Sequence, residues 1–98
     1  MIEPVMRKSD TRDRYELVLA GEVAGVVDYR RVDDRTLELF HTEVYDQYRG
    51  HGLGSHLVDF VLRDLRDTGA LVKASCPFVA HHIDEHPEFG SLLAPESA

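Results

Sequence analysis

The hydrophobic residues of this 98-residue chain change their spacing once, and a cluster of glycines lies at the change. Before it, apolar and polar residues alternate in three segments, 14–20, 22–30 and 36–44, as they do in β-strands. After it, from residue 53 to residue 65, a leucine or valine recurs every four positions, which predicts an amphipathic helix. We therefore expect an antiparallel meander of three strands, followed by a helix.

The remaining segments complete an α/β pattern. Gly69 is expected to end the first helix, and the short apolar segment 70–75 reads as a fourth strand. Because a strand, a helix and a strand follow one another, the third and fourth predicted strands should be parallel. Residues 77–86 are predicted to form a second, C-terminal helix. The expected fold is a mixed sheet in the order β-β-β-α-β-α, within one domain over residues 1–98.

Composition excludes several classes of function. The formal net charge of −7 disfavours a nucleic-acid partner, since the phosphate backbone is itself anionic. No apolar run is long enough to cross a membrane, and the N-terminus lacks the apolar region of a signal peptide. Cys76 is the single cysteine, so an internal disulfide is impossible. These features predict a cytoplasmic protein without a membrane partner.

The glycine cluster follows Arg49 and lies where the third predicted strand meets the first helix. The first amides of a helix lack internal partners and carry the positive end of the helix dipole. Glycines at this point let the backbone approach an anion closely, and an arginine can add paired hydrogen bonds. The segment therefore favours a phosphate site, with an ordinary glycine-rich turn as the alternative. The Gly-Lys-Ser/Thr of a P-loop is absent, and Lys73 stands near the position where a Rossmann fingerprint needs an acidic residue.

The segment "YRGHGLGSHLV" resembles the acetyl-CoA-binding signature of the GNAT N-acetyltransferase superfamily, Gln/Arg-x-x-Gly-x-Gly/Ala. Arg49, Gly52 and Gly54 occupy the signature positions. The longer segments 39–62 and 74–89 resemble its minimal single-domain branch, which carries a Ser-Cys-x-x-Val motif. The resemblance covers residues 14–92 and implies a compact GNAT-like core that uses acetyl-CoA as co-substrate.

The resemblance also implies which residues contact that co-substrate. The amides from Arg49 to Ser55 would hold the CoA pyrophosphate, and the end of the third predicted strand would pair by its backbone with the pantetheine arm. This pairing requires the third and fourth predicted strands to splay apart. The expected cofactor-binding residues are Val44, Tyr45, Arg49, Gly50, His51, Gly52, Leu53, Gly54, Ser55, Phe78 and His82.

Three residues are candidates for catalysis. The resemblance implies that Cys76, just after the last strand, takes part in transfer as a nucleophile; a buried structural cysteine and a cysteine that only lines the slot are the alternatives. His41 and Glu43 lie two residues apart on one face of the third predicted strand, and either could accept a proton from an incoming ammonium group. A core histidine bonded to the backbone is the other reading of His41. Simple alternation places His41 with Leu37 and Leu39, and places Glu38, Phe40 and Thr42 on the opposite face.

The histidines of the last predicted helix invite a metal hypothesis. His82 and His86 share a helix face, but the sequence offers no clear third ligand. We therefore expect no metal, and interpret this as a solvent-exposed helix face from which His82 could reach the pantetheine slot. Phe89 is expected to close the core from a turn at residues 86–89.

The chain departs from the larger members of the superfamily. It has no segment for the two helices that form their acceptor pocket, and no tyrosine follows Tyr48 to protonate the CoA thiolate. The leading hypothesis is an acetyl-CoA-dependent N-acetyltransferase acting on an amine, such as a protein lysine or N-terminus, a peptide or a small amine. A non-catalytic acyl-CoA-binding module is the alternative, and an interaction domain without a nucleotide is the third. We expect a monomer or weak dimer.

Overall fold

The computed structural model describes residues 3–95 and contains a five-stranded sheet with two α-helices. The sheet has the order β1-β2-β3-β4-β5, in which β4 and β5 are parallel and the other neighbours are antiparallel. This confirms the predicted α/β class, the meander and the parallel crossover. The strands are β1 (Val5–Lys8), β2 (Arg14–Leu19), β3 (Glu22–Arg31), β4 (Thr36–Val44) and β5 (Leu71–Ala74), and the helices are α1 (Leu53–Thr68) and α2 (Pro77–Glu85). Short 3₁₀ helices cover Asp46–Tyr48 and Pro87–Leu92.

Both α-helices pack on one face of the sheet, so the protein has two layers. Their apolar stripes meet side chains of β2, β3 and β4 in one core, and Phe89 closes it as expected. The fully buried members include Tyr15, Leu17, Val27, Leu39, Leu57, Val58, Val61, Leu62, Val72, Val79 and Phe89. The other face of the sheet, here called the open face, carries no helix among residues 3–95 and is rich in charged residues such as Arg7, Glu16, Arg30 and Glu38.

A β-bulge in β4 changes which residues share a face. His41 pairs with Asp28 and Leu39 pairs with Tyr29, so Phe40 is an extra residue without a partner on β3. An extra residue reverses the alternation that follows it. His41 therefore lies on the open face, not on the core face with Leu39, and the prediction by simple alternation was wrong beyond Phe40.

The same bulge corrects two neighbouring assignments. Thr42 is paired with the core residue Val27 and faces the helices. Glu38 lies on the open face, on the same side as His41, because its partner Arg30 and the partner of His41, Asp28, are two residues apart on β3. The open face of β4 thus carries Glu38 as well as His41.

The pairing of β4 with β5 ends before β4 does. Their last paired residues are Leu39 and Ala74, while β4 runs five residues further, to Val44, paired only with β3. The backbone amides of Ser75 and Cys76 both donate to the Leu39 carbonyl at 3.1 Å, and the chain then turns into α2. Within the described part of the chain, the edge of β4 over residues 40–44 is left without a strand partner on this side.

Candidate functional site

A cleft of about 710 Å³ follows the unpaired edge of β4. It lies between that strand, the loop that precedes α1 and the first turn of α2. Its lining residues are His41, Thr42, Glu43, Val44, Tyr48, Arg49, Gly50, Gly52, Leu53, Gly54, Ser55 and Phe78. Most of the residues predicted to contact a cofactor are therefore brought together at one site.

The glycines of the loop are required by its backbone. Gly50 and Gly52 have φ angles of +87° and +70°, a region that side chains strain. Gly52 is the N-cap of α1 and offers no side chain to the free amides of the first turn. Over residues 3–95, no protein acceptor takes a hydrogen bond from the amides of residues 50–55. These amides, at the positive end of a 16-residue helix, form a site suited to an anion such as a pyrophosphate.

Arg49 links this loop to the end of β4. Its Nε atom lies 3.2 Å from the Val44 carbonyl oxygen and 3.2 Å from Asp46 Oδ1. The side chain is two-thirds exposed, at 67%, so its terminal nitrogens remain accessible to a ligand. Arg49 can therefore add a positive charge to the amide site while its Nε atom stays bound to the protein.

The structure adds Tyr48 and Thr42 to the residues expected in the cleft. The Tyr48 hydroxyl donates to Glu22 Oε2 at 2.8 Å, which ties the loop to the start of β3, and this hydrogen bond raises the pKa of Tyr48. Tyr48 directly precedes Arg49, the first residue of the signature, and this position could have predicted that Tyr48 lines the cleft. Thr42 was missed because the bulge that turns it toward the helices has no signature in the sequence.

Cys76 lies beside the cleft, behind Thr42. Its thiol donates a weak hydrogen bond to Thr42 Oγ1, with the sulfur 3.5 Å from the oxygen. The residue is 7% exposed and occupies the N-cap of α2, where Pro77 removes one of the helix amides. Its sulfur thus contacts a side chain that lines the cleft but does not itself line it.

His41 and Glu43 form a pair in the wall of the cleft. Their side chains, 49% and 44% exposed, place Nε2 of His41 3.2 Å from Oε1 of Glu43. They point to the open face, whereas Thr42 between them points toward Cys76. The strand β4 therefore carries a titratable pair on its open face and, on its core face, Thr42 in contact with the Cys76 thiol.

Three of the predicted cofactor residues do not line the cleft. Tyr45 uses its amide to bond the Ala24 carbonyl at 2.9 Å, and His51 is exposed on the loop. His82 is buried between the helices, where its Nε2 atom lies 3.3 Å from Asp59 Oδ1 and its ring stacks on His86 at 4.2 Å. It belongs neither to a solvent-exposed helix face nor to the slot, because it faces α1.

The carboxylate beside His82 is the ionised partner of this contact. Burial alone would raise the pKa of Asp59, but hydrogen bonds from Arg63 and His82 outweigh it and lower the pKa.

Among residues 3–95, no group of three or more His, Cys, Asp and Glu side chains is placed to hold a metal ion. None of the described helices combines the length and apolarity needed to cross a membrane.

Comparison with solved structures supports the fold. A GCN5-like protein from Staphylococcus aureus matches with a TM-score of 0.70 and 20% identity over 95% of this chain and 90% of its own. The ribosomal-protein-S18-alanine N-acetyltransferase of Escherichia coli matches with a TM-score of 0.60 and 21% identity, over 79% of this chain and 52% of its own. At these identities the comparisons show the fold alone.

Comparison of sequences identifies the family. Protein NATD1 of Gallus gallus and of Mus musculus is 32% identical over 62 residues, which is 63% of this chain and 56% of each relative. The matched region thus spans little more than half the length of these relatives. A family model described as GCN5-related N-acetyl-transferase matches residues 14–92. The chain belongs to the GCN5-related N-acetyltransferase family.

Proposed function

We propose that this protein transfers the acetyl group of acetyl-CoA to an amine. One observation carries the proposal: a single cleft joins the free amides of the glycine loop, the unpaired edge of β4 and the neighbourhood of Cys76. Membership of the family supports the reaction class. The Escherichia coli neighbour is named for an alanine of a ribosomal protein, and a protein amine is accordingly a suitable acceptor class to test here.

The residues of the cleft suit the parts of acetyl-CoA, whose thioester supplies an activated acyl group. The amides of Gly50 to Ser55 and the dipole of α1 would bind the pyrophosphate, with Arg49 as an additional cation. No side chain occupies the volume above Gly50 and Gly52, since nothing lies within 4 Å of a Cβ built at either position. The unpaired edge of β4 offers backbone groups to the amides of the pantetheine arm.

Cys76 is the proposed entry point of the acetyl group into the protein. The Cys76 thiol would give up its proton as its sulfur bonds to the acetyl carbon, the carbon–sulfur bond of the thioester would break, and the departing CoA thiolate would take up the proton that the thiol released. The amine would then take the acetyl group from Cys76 and restore the thiol. His41 or Glu43, which bond each other at 3.2 Å, would accept the proton that the ammonium group must lose before attack.

A direct route uses the same cleft without the covalent step. In it the amine attacks the thioester itself, His41 or Glu43 accepts its proton, and Cys76 only packs behind Thr42. The two routes differ in one observable. On the covalent route, acetyl-CoA supplied without an acceptor adds one acetyl group to the peptide that contains Cys76, which mass spectrometry detects. Unmodified Cys76, together with normal turnover of Cys76→Ala, would exclude the covalent route.

A non-catalytic acyl-CoA-binding module is the second candidate function. The burial of Cys76, at 7% exposure, is the observation that favours it. Calorimetric titration with CoA and a transfer assay on a panel of peptides and polyamines separate the two candidates. Binding without transfer to any acceptor, and without acetylation of Cys76, would favour the module. Failure to bind CoA would reject both.

A further inference from the structure

The point where β4 and β5 part is held by more than backbone pairing. Ser75 follows β5 directly, and its hydroxyl donates a short hydrogen bond to Oε2 of Glu38 on β4. The amides of Ser75 and Cys76 both bond the carbonyl of Leu39. Three hydrogen bonds thus fix the two residues that lead from β5 into α2.

Glu38 is itself held from the other side. Its second oxygen, Oε1, accepts from Nε of Arg30 on β3 at 2.8 Å, and its side chain is 13% exposed. The guanidinium of Arg30 in turn lies 4.7 Å from the ring centre of Phe40, the bulged residue of β4. The hydrogen bonds from Ser75 and Arg30 lower the pKa of Glu38, so the carboxylate stays ionised at neutral pH.

This network crosses three strands at the level where β5 ends. The hydrogen bond to Glu38 restrains the Ser75 side chain, and Cys76 is the next residue. Charge-assisted hydrogen bonds with both carboxylate oxygens occupied leave little freedom for the side chain at the centre. The carboxylate that is bonded to Ser75 therefore lies on the opposite face of the sheet from the Cys76 sulfur.

We infer that Glu38 is a positioning residue for acetyl transfer, which acts through the Ser75 hydroxyl to hold Cys76 behind Thr42. The inference rests on the proposed function. Alternation in the sequence set Glu38 apart from His41 and Glu43, and gave it no role. In the fold it shares the open face with them, and it is bonded to the residue that precedes the thiol.

The chain offers a matched control for loss of such a carboxylate. Glu16 also lies on the open face, is 7% exposed at its side chain and accepts from two arginines, Arg7 and Arg14. Its partners belong to β1 and β2, away from the point where β5 ends. Glu16→Gln should therefore disturb a comparable ion pair without disturbing Cys76.

The test uses Ser75→Ala, Glu38→Ala and the conservative variant Ser75→Thr beside Glu16→Gln. For each we would measure the rate of Cys76 alkylation by iodoacetamide, the Kd for CoA, and kcat and KM for transfer. Ser75→Ala and Glu38→Ala should raise the alkylation rate about tenfold, the effect expected when a charge-assisted hydrogen bond is lost. They should lower kcat while the Kd for CoA stays within about twofold, because the pyrophosphate site is untouched. Ser75→Thr, which retains the hydroxyl, should keep the alkylation rate and kcat near their wild-type values.

Low concentrations of urea distinguish local movement from global unfolding. Alkylation through a local opening is nearly independent of urea, whereas alkylation through unfolding rises with it. The inference is overturned if the rate of Cys76 alkylation and the kcat of Ser75→Ala equal those of the wild type. It is equally overturned if the alkylation rates of Ser75→Ala and Glu38→Ala depend on the free energy of unfolding in the same way as that of Glu16→Gln. If the wild type binds CoA but transfers nothing, the proposed function fails, while the alkylation rates still decide whether Glu38 holds Cys76.

Discussion

The ring of Phe78 lies directly against Gly54, so that a Cβ built on Gly54 would come within 2.9 Å of the Phe78 Cζ atom. Gly54 is in the first turn of α1 and Phe78 is in the first turn of α2. The first turns of the two helices therefore meet through the Phe78 ring, and both line the cleft. The last glycine of the signature is needed here for close packing, since its backbone is helical and not left-handed.

Gly54→Ala should consequently displace Phe78 and widen or distort the cleft. We expect the Kd for CoA to rise about tenfold, as for overpacking by one methyl group, which typically costs about 1–3 kcal/mol. Calorimetric titration measures the effect, and Gly54→Ala combined with Phe78→Leu should recover part of the loss. Gly90→Ala is the control, because nothing lies within 4 Å of a Cβ at Gly90. Equal affinities of Gly54→Ala and Gly90→Ala would show that this contact does not shape the site.

Replacement of Arg49 tests the charge of the anion site. Arg49→Gln should weaken CoA binding about tenfold, because a charge-assisted contact to a phosphate is lost. The difference from the wild type should shrink as salt concentration increases, since the side chain is exposed. Arg12→Gln removes an equal charge from an exposed position in the β1–β2 connection and should leave the Kd unchanged. A similar loss in both variants would indicate net charge, and not the position of Arg49, as the cause.

The loop is also held by Tyr48, and this contact can be tested by a double-mutant cycle. Tyr48→Phe and Glu22→Gln each weaken the hydrogen bond that ties the loop to β3, so each should raise the Kd for CoA about threefold. The double variant should be no worse than the more damaging single one, since both remove the same interaction. Additive losses would mean that the two side chains act on the cleft independently.

The ion pairs of Glu16 with Arg7 and Arg14 should make the stability of the fold depend on pH in the acid range. Burial by itself would raise the pKa of Glu16, but hydrogen bonds from Arg14 and Arg7 lower it below its ordinary value of 4.5. A lowered pKa in the folded state means that the ionised group stabilises the fold above about pH 4.5, and that this contribution is lost as the pH falls through the folded-state pKa. Glu16→Gln should cost about 2 kcal/mol of unfolding free energy near pH 7.

Urea titrations at a series of pH values measure this effect. The difference between wild type and Glu16→Gln should be constant above about pH 6 and should narrow below pH 4.5. Arg12→Gln serves as a comparison, because Arg12 is exposed and is not one of the arginines that bond Glu16. Parallel curves for wild type and Glu16→Gln throughout the acid range would contradict the assignment.

Local patterns predicted most of the fold, for identifiable reasons. Alternation located β2, β3 and β4 within one or two residues, and Gly69, with φ of +76°, ends α1 where a glycine was expected. The strand β1 was not predicted, because its four residues end in Arg7 and Lys8 and contribute to the core only through the half-buried Met6.

The candidate site was predicted in its backbone more fully than in its side chains. The glycine loop has a local signature, since helix starts and left-handed positions restrict the residue type. The contact between Cys76 and Thr42 joins residues 34 positions apart and depends on the bulge at Phe40. A bulge inserts a residue without changing composition, and therefore no periodicity count reveals it.

The bulge changes which residues of β4 face the core, the odd-numbered or the even-numbered ones. Up to Leu39 the odd-numbered residues face the core, and from Thr42 onward the even-numbered ones do. Deletion of Phe40 would make Leu39 and His41 consecutive residues opposite Tyr29 and Asp28, so regular alternation would keep His41 and Glu43 on the open face and Thr42 and Val44 on the core face. The bulge thus absorbs one extra residue without changing the face on which each later side chain lies. A homologue that lacks one residue here would therefore present the same side chains on each face, so a gap at Phe40 in an alignment marks no change in the site.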